Sequence, residues 1–415
     1  MASKSKKAFK KKEPVAFVIF LSVVTSILAL LQNKYGQFSD IRGFYGMHFA
    51  DGQHHWPFST HTLLGATESI HPVEYPALTG LIMWLISFLV EPAQFAWVDY
   101  FRITASFHVV LFAITAFYVK QLAGKKWAIV FVLSPAVLYS LNRNWDIWAI
   151  VAMIWAIYLF EKGKLRQSAI VLAVSVATKL FPIVLLFPIF FYFMRQKRVR
   201  EFVEYFAITI GVWFLINLPF MLINFRGWSY FYEFSYKRGL GSASIFDVTA
   251  QAGFGLPTYN WLFYVLNILL FSGLGLYFWK SKKLVPLTEG AYLTMFAFIL
   301  FNKQYSMQYV IWLASLAVLA IYYLNKDRQF KILVLYAIWQ ASELLFQYSF
   351  FQRILTNTYR DTATPAAPEI SDNFYASVGL VRYLLAVAFT VALALMLNKQ
   401  RSREVEAELS RTTKR

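Results

Sequence analysis

Asp40 stands just past the first long apolar run, in a segment that reads Asp40-Ile41-Arg42-Gly43-Phe44-Tyr45. A carboxylate held there, near a bilayer surface, can take the proton from an acceptor hydroxyl, and one such base suffices for a single-displacement group transfer. The competing assignment is a helix cap or a solvated loop residue. The same loop, residues 34–74, carries Asp51, Glu68 and Glu74 and the histidines His48, His54, His55, His61 and His71, five of the 6 in the chain. Imidazole and carboxylate together suit a transition metal. Their spacing fits no ligand pattern, and polar loop histidines are the simpler reading.

Cations form the second group. Arg143, Lys179, Lys237, Arg238 and Lys303 fall where the chain should reach the outer surface, against the bias that keeps basic residues inside. Charge at membrane depth is costly and usually functional, so these residues are candidates for an anion site facing a lipid-linked phosphate. Ion pairing with Asp146, Glu233 or Asp247, or snorkelling to head groups, is the alternative.

The elements that must position these residues follow from composition. The 415 residues are 58% hydrophobic and 15% charged, with a mean hydropathy of +0.49, well outside the balance of a soluble globular chain. A water-soluble multi-domain enzyme is excluded. Cysteine is absent, which removes disulfides, thiolate nucleophiles and Cys-ligated metal centres. The net charge of +18 comes from short basic blocks between apolar runs and at both ends, which is membrane topology rather than a nucleic-acid surface. Placing the blocks inside yields an all-α polytopic fold with about 12 crossings, both termini cytoplasmic and 34–74 as a long first outer loop. The expected organisation is a basic tail at 1–13, a single transmembrane domain at 14–397 and a charged tail at 398–415. Residues 75–90, opened by Tyr-Pro and closed by Glu91-Pro92, read as a short dipping or interfacial helix. The hairpin 168–194 leaves about 20 Å for each arm, so its tip at Lys179 should stop below the outer surface. The polar turn Asn142-Arg143-Asn144-Trp145-Asp146 is similarly placed, and polar backbone at that depth requires cover from protein or water. The expectation is a recess open to the outside. Aromatic residues make up 19% of the chain, mostly as an interfacial belt.

In order along the chain, Asp40 to Tyr45, Glu74-Tyr75-Pro76-Ala77-Leu78, Ser134-Pro135, the turn 142–146, Ala177-Thr178-Lys179-Leu180-Phe181-Pro182 with Pro188, Gly227-Trp228, Tyr236-Lys237-Arg238-Gly239 with Ser244, and the segment from Asn302 to Tyr309 with Trp312 together resemble the GT-C superfamily of integral-membrane glycosyltransferases. The likeness is to glycosyltransferase family 87, the polyprenol-phosphate-mannose-dependent mannosyltransferases that include actinobacterial enzymes building phosphatidylinositol mannosides. The order is also similar to the glycosylphosphatidylinositol mannosyltransferase I group. Ala77 and Met307 stand where the family commonly has proline, and the early loop has no Asp-x-Asp. The resemblance implies a GT-C fold with Asp40 as catalytic base. It also implies that a mannosyl phospholipid and its acceptor meet at the outer face.

The resulting expectation is an inverting hexosyltransferase of the plasma membrane, with mannose the favoured sugar. Its donor would be a polyprenyl-phosphate sugar, since nucleotide sugars are not available outside the cell, and its acceptor a lipid or glycan such as a phosphatidylinositol mannoside. Lys179, Lys237, Arg238 and Lys303 are the candidates to hold the departing phosphate. Tyr45, Glu74, Tyr75, Asn142, Asn144, Asp146, Gln304 and Gln308 are expected to line the substrate pocket. No cofactor is expected, a divalent metal being the one exception left open, and the other partners are membrane lipids. The rival class is a secondary transporter or lipid flippase, which would show an inverted repeat; the sequence contains none.

Overall fold

The computed structural model describes residues 15–34, 39–241, 243–255, 260–358 and 370–413. The tail at 1–13 lies outside the described residues, as do the last two positions of the tail at 398–415. Among the described residues the fold is all helical, with a single β-bridge between His61 and Ile70. In chain order the helices are α1 (Ala16–Gln32), α2 (Asp40–His48), α3 (Ala77–Ser87), α4 (Ala96–Ala123), α5 (Lys125–Val132), α6 (Pro135–Ser140), α7 (Asp146–Glu161) and α8 (Leu165–Thr178). After a 3-10 turn at Phe181–Leu185 come α9 (Leu186–Arg195), α10 (Val199–Ile223), α11 (Phe225–Lys237), α12 (Ile245–Gln251) and α13 (Asn260–Lys280). The chain closes with α14 (Leu287–Leu300), α15 (Tyr309–Ile321), α16 (Lys326–Thr358) and α17 (Asp372–Thr413).

Four of the described helices, α4, α10, α13 and α17, are long and apolar enough to cross a membrane, and six further apolar segments are shorter. The protein is therefore a multi-pass membrane protein whose helices are often broken. The breaks have local causes. Ser134-Pro135 starts α6 with proline at its first position, where its missing N–H costs nothing. Pro182 in the turn after Lys179 does the same for the chain entering α9. α3 has 11 residues and so reaches about 16 Å, half of a hydrocarbon core.

α15 is buried on every side, the pattern of a helix enclosed by others. Around it α7 and α8 form a hairpin flanked by α4 and α10, while α14 and α5 also pack on α15 and α16 lies along α17. The first loop builds its own smaller core from Ile41, Phe44, Phe49, Phe58, Val73 and Tyr75 with Trp145 and Phe220. That core seats the loop on one end of the bundle.

Candidate active site

The amide of Asp40 donates to the carbonyl of Arg143 at 2.8 Å, and Ser39 Oγ donates to the carbonyl of Asn142 at 2.7 Å. The start of α2 is thereby fastened to the polar turn at 142–146. Within that turn Asn144 Oδ1 accepts from the amide of Asp146 at 3.0 Å and Asn142 Oδ1 lies 3.2 Å from His108 Nδ1. Asp146 opens α7 with a buried carboxylate held by Lys179 Nζ at 2.8 Å and by the indole of Trp312 at 2.9 Å. Lys179 ends α8, so two helices that share a hairpin present the two halves of one ion pair. Lys179 Nζ also lies 5.0 Å from the centre of the Tyr75 ring, which with Phe44 and Trp145 forms an edge-to-face aromatic wall with centroids 5.3–5.8 Å apart.

Asp40 itself is solvent-accessible yet heavily surrounded by protein. This desolvation pushes its pKa up to about 6, although Lys179, Arg143 and Arg238 pull it down. A carboxylate that is open to a ligand and poised near neutrality is what a general base requires. Glu74, partly buried, is also raised by desolvation and lowered by Arg238, so Arg238 sits within electrostatic reach of both carboxyls. In the amide orientation that satisfies its neighbours, Gln304 Oε1 accepts from Arg238 Nε at 3.2 Å. Tyr309, buried beside Phe181, belongs to the same group, as does Gln308, buried at the N-cap of α15.

Three expected site residues are placed differently. Lys237 is exposed and pairs with Glu233 at 2.6 Å one helical turn away. Lys303 Nζ reaches the carbonyls of Tyr236 and Arg238 at 3.3 and 3.4 Å, closing the end of α11. Tyr45 is buried against Tyr100, centroids 5.0 Å apart, because five residues along a helix turn it away from the face that carries Asp40. Three of the loop histidines, His48, His55 and His61, cluster beside Asp51, which His55 Nε2 meets at 2.8 Å, whereas His54 packs on Phe88 and His71 on Tyr230. His55 stacks on His61 at 4.3 Å, and burial together with neighbouring histidines lowers the pKa of His48 to about 4. Among the described residues no group of three His, Asp or Glu side chains has the geometry of a metal site.

Phe44, Trp145 and Tyr309 join the expected residues at this site. Phe44 had a signal, since it follows Asp40 by one turn and so shares its face.

A cleft of about 360 Å³ opens between α8 and α10 at the other end of these helices, lined by Lys164, Arg166, Glu201, Glu204 and Tyr205. It is remote from Asp40, since the 16 residues of α7 separate the two ends by about 24 Å. Both of its carboxylates are already paired, Glu204 with Arg166 and Glu201 with the neighbouring Arg198.

The family model for glycosyltransferase family 87 matches residues 74–302, more than half of the 415-residue chain. The chain belongs to glycosyltransferase family 87. The match covers the polar turn, Lys179 and Arg238, while Gln304 lies just beyond it and Asp40 well before its start at residue 74. A curated relative, GPI mannosyltransferase 1 of Kluyveromyces lactis, is 26% identical over 199 residues, which is 45% of this chain and 50% of the relative. The chain thus matches about half the length of that protein. As a family 87 glycosyltransferase of the membrane, the chain brings one accessible carboxylate, a buried ion pair, an arginine and an aromatic wall to one end of its bundle.

Proposed function

We propose that this protein is an inverting mannosyltransferase that moves mannose from a polyprenyl-phosphate donor to a lipid or glycan acceptor at the outer membrane face. The supporting topology is the charge-derived one, with about 12 crossings, cytoplasmic termini and the site outside. A phosphatidylinositol mannoside is the acceptor class suggested by the family, and the mannosyl reading draws on the relative named above.

The observation that carries the proposal is Asp40, accessible, poised near pH 6 and under the fields of Lys179 and Arg238. In the proposed step the acceptor oxygen attacks the anomeric carbon while Asp40 takes its proton. The bond from that carbon to the donor phosphate oxygen breaks, and polyprenyl phosphate leaves with the electron pair. Lys179 and Arg238 stabilise the charge that develops there, which is usually the largest catalytic contribution. Neutralised phosphate leaves readily, so no general acid is needed. The wall of Phe44, Tyr75 and Trp145 offers apolar ring edges and faces to the sugar or to the first isoprene units.

The test uses purified protein in liposomes with synthetic polyprenyl-phosphate mannose labelled in the sugar. Label should pass to added phosphatidylinositol mannoside, with inversion at the anomeric carbon, and GDP-mannose should not replace the donor. Transfer from GDP-mannose alone, or retention of configuration, would overturn the reading.

A further inference from the structure

Two loops bring Arg238 and Gln304 to the site, and both are held from below by the last two helices, which lie beyond the family match at residues 74–302. The 302–308 loop is gripped at Tyr305. Its hydroxyl donates to Glu343 Oε1 at 2.9 Å, its carbonyl accepts from Arg382 Nη2 at 3.3 Å, and the Arg382 guanidinium covers its ring at 3.7 Å. Glu343 and Arg382 complete the grip by pairing with each other at 2.8 Å, both side chains 0% exposed. The indole of Trp339 donates to Glu343 as well, at 3.1 Å.

Ala243 and Asp247, which follow Arg238 in the chain, are held by the same face of α17. Tyr375 Oη donates to Asp247 at 2.7 Å and accepts from the amide of Ala243 at 3.1 Å, and Tyr383 Oη donates to the Ala243 carbonyl at 3.3 Å. Tyr375, Gly379, Arg382 and Tyr383 follow one another at spacings of four, three and one, which places them on one helical face. At Gly379 a Cβ would come within 2.7 Å of Val248, so the close approach of α17 to α12 depends on that glycine. The two loops also join each other, the amide of Gly241 donating to the carbonyl of Lys303 at 2.8 Å. A buried ion pair is costly to maintain and is a poor device for stability alone. Here it grips the residue next to Gln304, the residue that orients Arg238.

We infer that the Glu343–Arg382 pair is a positioning device for the transfer reaction, acting through Tyr305 and Gln304 to hold Arg238 at the catalytic site. The inference rests on the site reading proposed above. Neither residue touches substrate, and both act at one remove.

The test compares wild type, Arg238→Gln, the double variant Glu343→Gln/Arg382→Gln and the milder Tyr305→Phe in liposomes, with synthetic polyprenyl-phosphate mannose as donor. Rates are normalised to folded protein measured by size exclusion. The double variant removes both charges together and so leaves no lone buried ion to unfold the bundle. It should lose on the order of 10²-fold in kcat/KM, mostly in kcat, the effect of a small misplacement of a charged group. The acid limb of its pH–rate profile should move upward, as in Arg238→Gln, because the Arg238 charge holds the Asp40 pKa down. Tyr305→Phe should shift the same way by less.

A purely structural role would cut folded yield and leave kcat, KM and the limb per folded molecule unchanged, which would overturn the inference. Should the double variant fold too poorly to assay, a wild-type kcat and limb in Tyr305→Phe would overturn it equally. If Arg238→Gln is itself silent, the site reading fails, and the inference falls with it. An impaired Arg238→Gln beside a normal double variant removes the inference alone.

Discussion

With a pKa of about 6, Asp40 should be about nine-tenths ionised at pH 7 and about one-tenth ionised at pH 5. A rate that requires the carboxylate then falls about tenfold between those two pH values. An aspartate at its ordinary 3.8 would still be about nine-tenths ionised at pH 5, so its rate would hardly change. The assay is the initial rate of mannosyl transfer in liposomes from pH 4.5 to 8, with donor well below KM so that the limb reports the free enzyme. Asp40→Asn should lower the plateau by about 10²–10⁴, the usual worth of a positioned base, and abolish the limb. The same pKa has a stability signature with a definite sign. Because the folded-state value is raised, ionising Asp40 opposes folding as pH climbs past its unfolded value, and the penalty is complete above about pH 6. Asp40→Asn should therefore melt higher than wild type at pH 8 and at the same temperature at pH 3.5. An acid limb below pH 4.5, or an Asp40→Asn enzyme with near-normal turnover, would refute the assignment of the base.

Further predictions follow from the buried pair, the loop contacts and the topology. Lys179→Met leaves Asp146 charged and buried and should cost about 3–5 kcal/mol of stability, read as a lower melting temperature. Adding Asp146→Asn should restore much of the melting temperature without restoring transfer. Lys237→Gln should be nearly silent in the transfer assay, since its partner is the exposed Glu233, whereas Arg238→Gln should lose on the order of 10²-fold. In Gly227→Ala the new Cβ would lie 1.6 Å from the carbonyl oxygen of Phe58, so α11 must lift from the first loop, at about 1–3 kcal/mol or more. In this cysteine-free chain, cysteine at Glu68 should label with an impermeant thiol reagent in intact cells and cysteine at Lys282 should not. The reverse pattern would move the site to the cytoplasm.

The membrane class could be read from composition, and two polar clusters of the candidate site from residue types. The polar turn at 142–146 and the Lys-Leu-Phe-Pro tip stand out because polar residues inside short apolar hairpins have few places to go, and the structure brings them together through Lys179 and Asp146. The choice between ligand and ion pair for each cation was not legible. Lys237 and Lys179 both find carboxylates, but one pair is exposed and the other buried, a distinction made by tertiary packing. Tyr45 and Phe44 are neighbours in sequence, yet helical rotation sends one into the core and the other to the wall. The number of crossings is also hard to read, since the break at Ser134-Pro135 divides an apolar run that looks continuous in composition. Glu343 and Arg382 did leave a signal. Each is a charge inside a long apolar stretch of a helix near the C-terminus, the setting in which a buried partner should be sought.

The anchoring of Asp40 has a consequence for how such an enzyme can change. Ser39 and Asp40 are fastened to the carbonyls of Asn142 and Arg143, and a carbonyl is supplied by whichever amino acid occupies a position. Substitutions at 142 and 143 can therefore change the Asn142 contact to His108 or the field of Arg143 on Asp40 without detaching Asp40, so long as the main chain keeps its turn. The attachment of Asp40 is thereby separated from the identity of the side chains that surround it. In a laboratory or over generations, the surroundings of the carboxylate can then be rewritten while its attachment stays fixed.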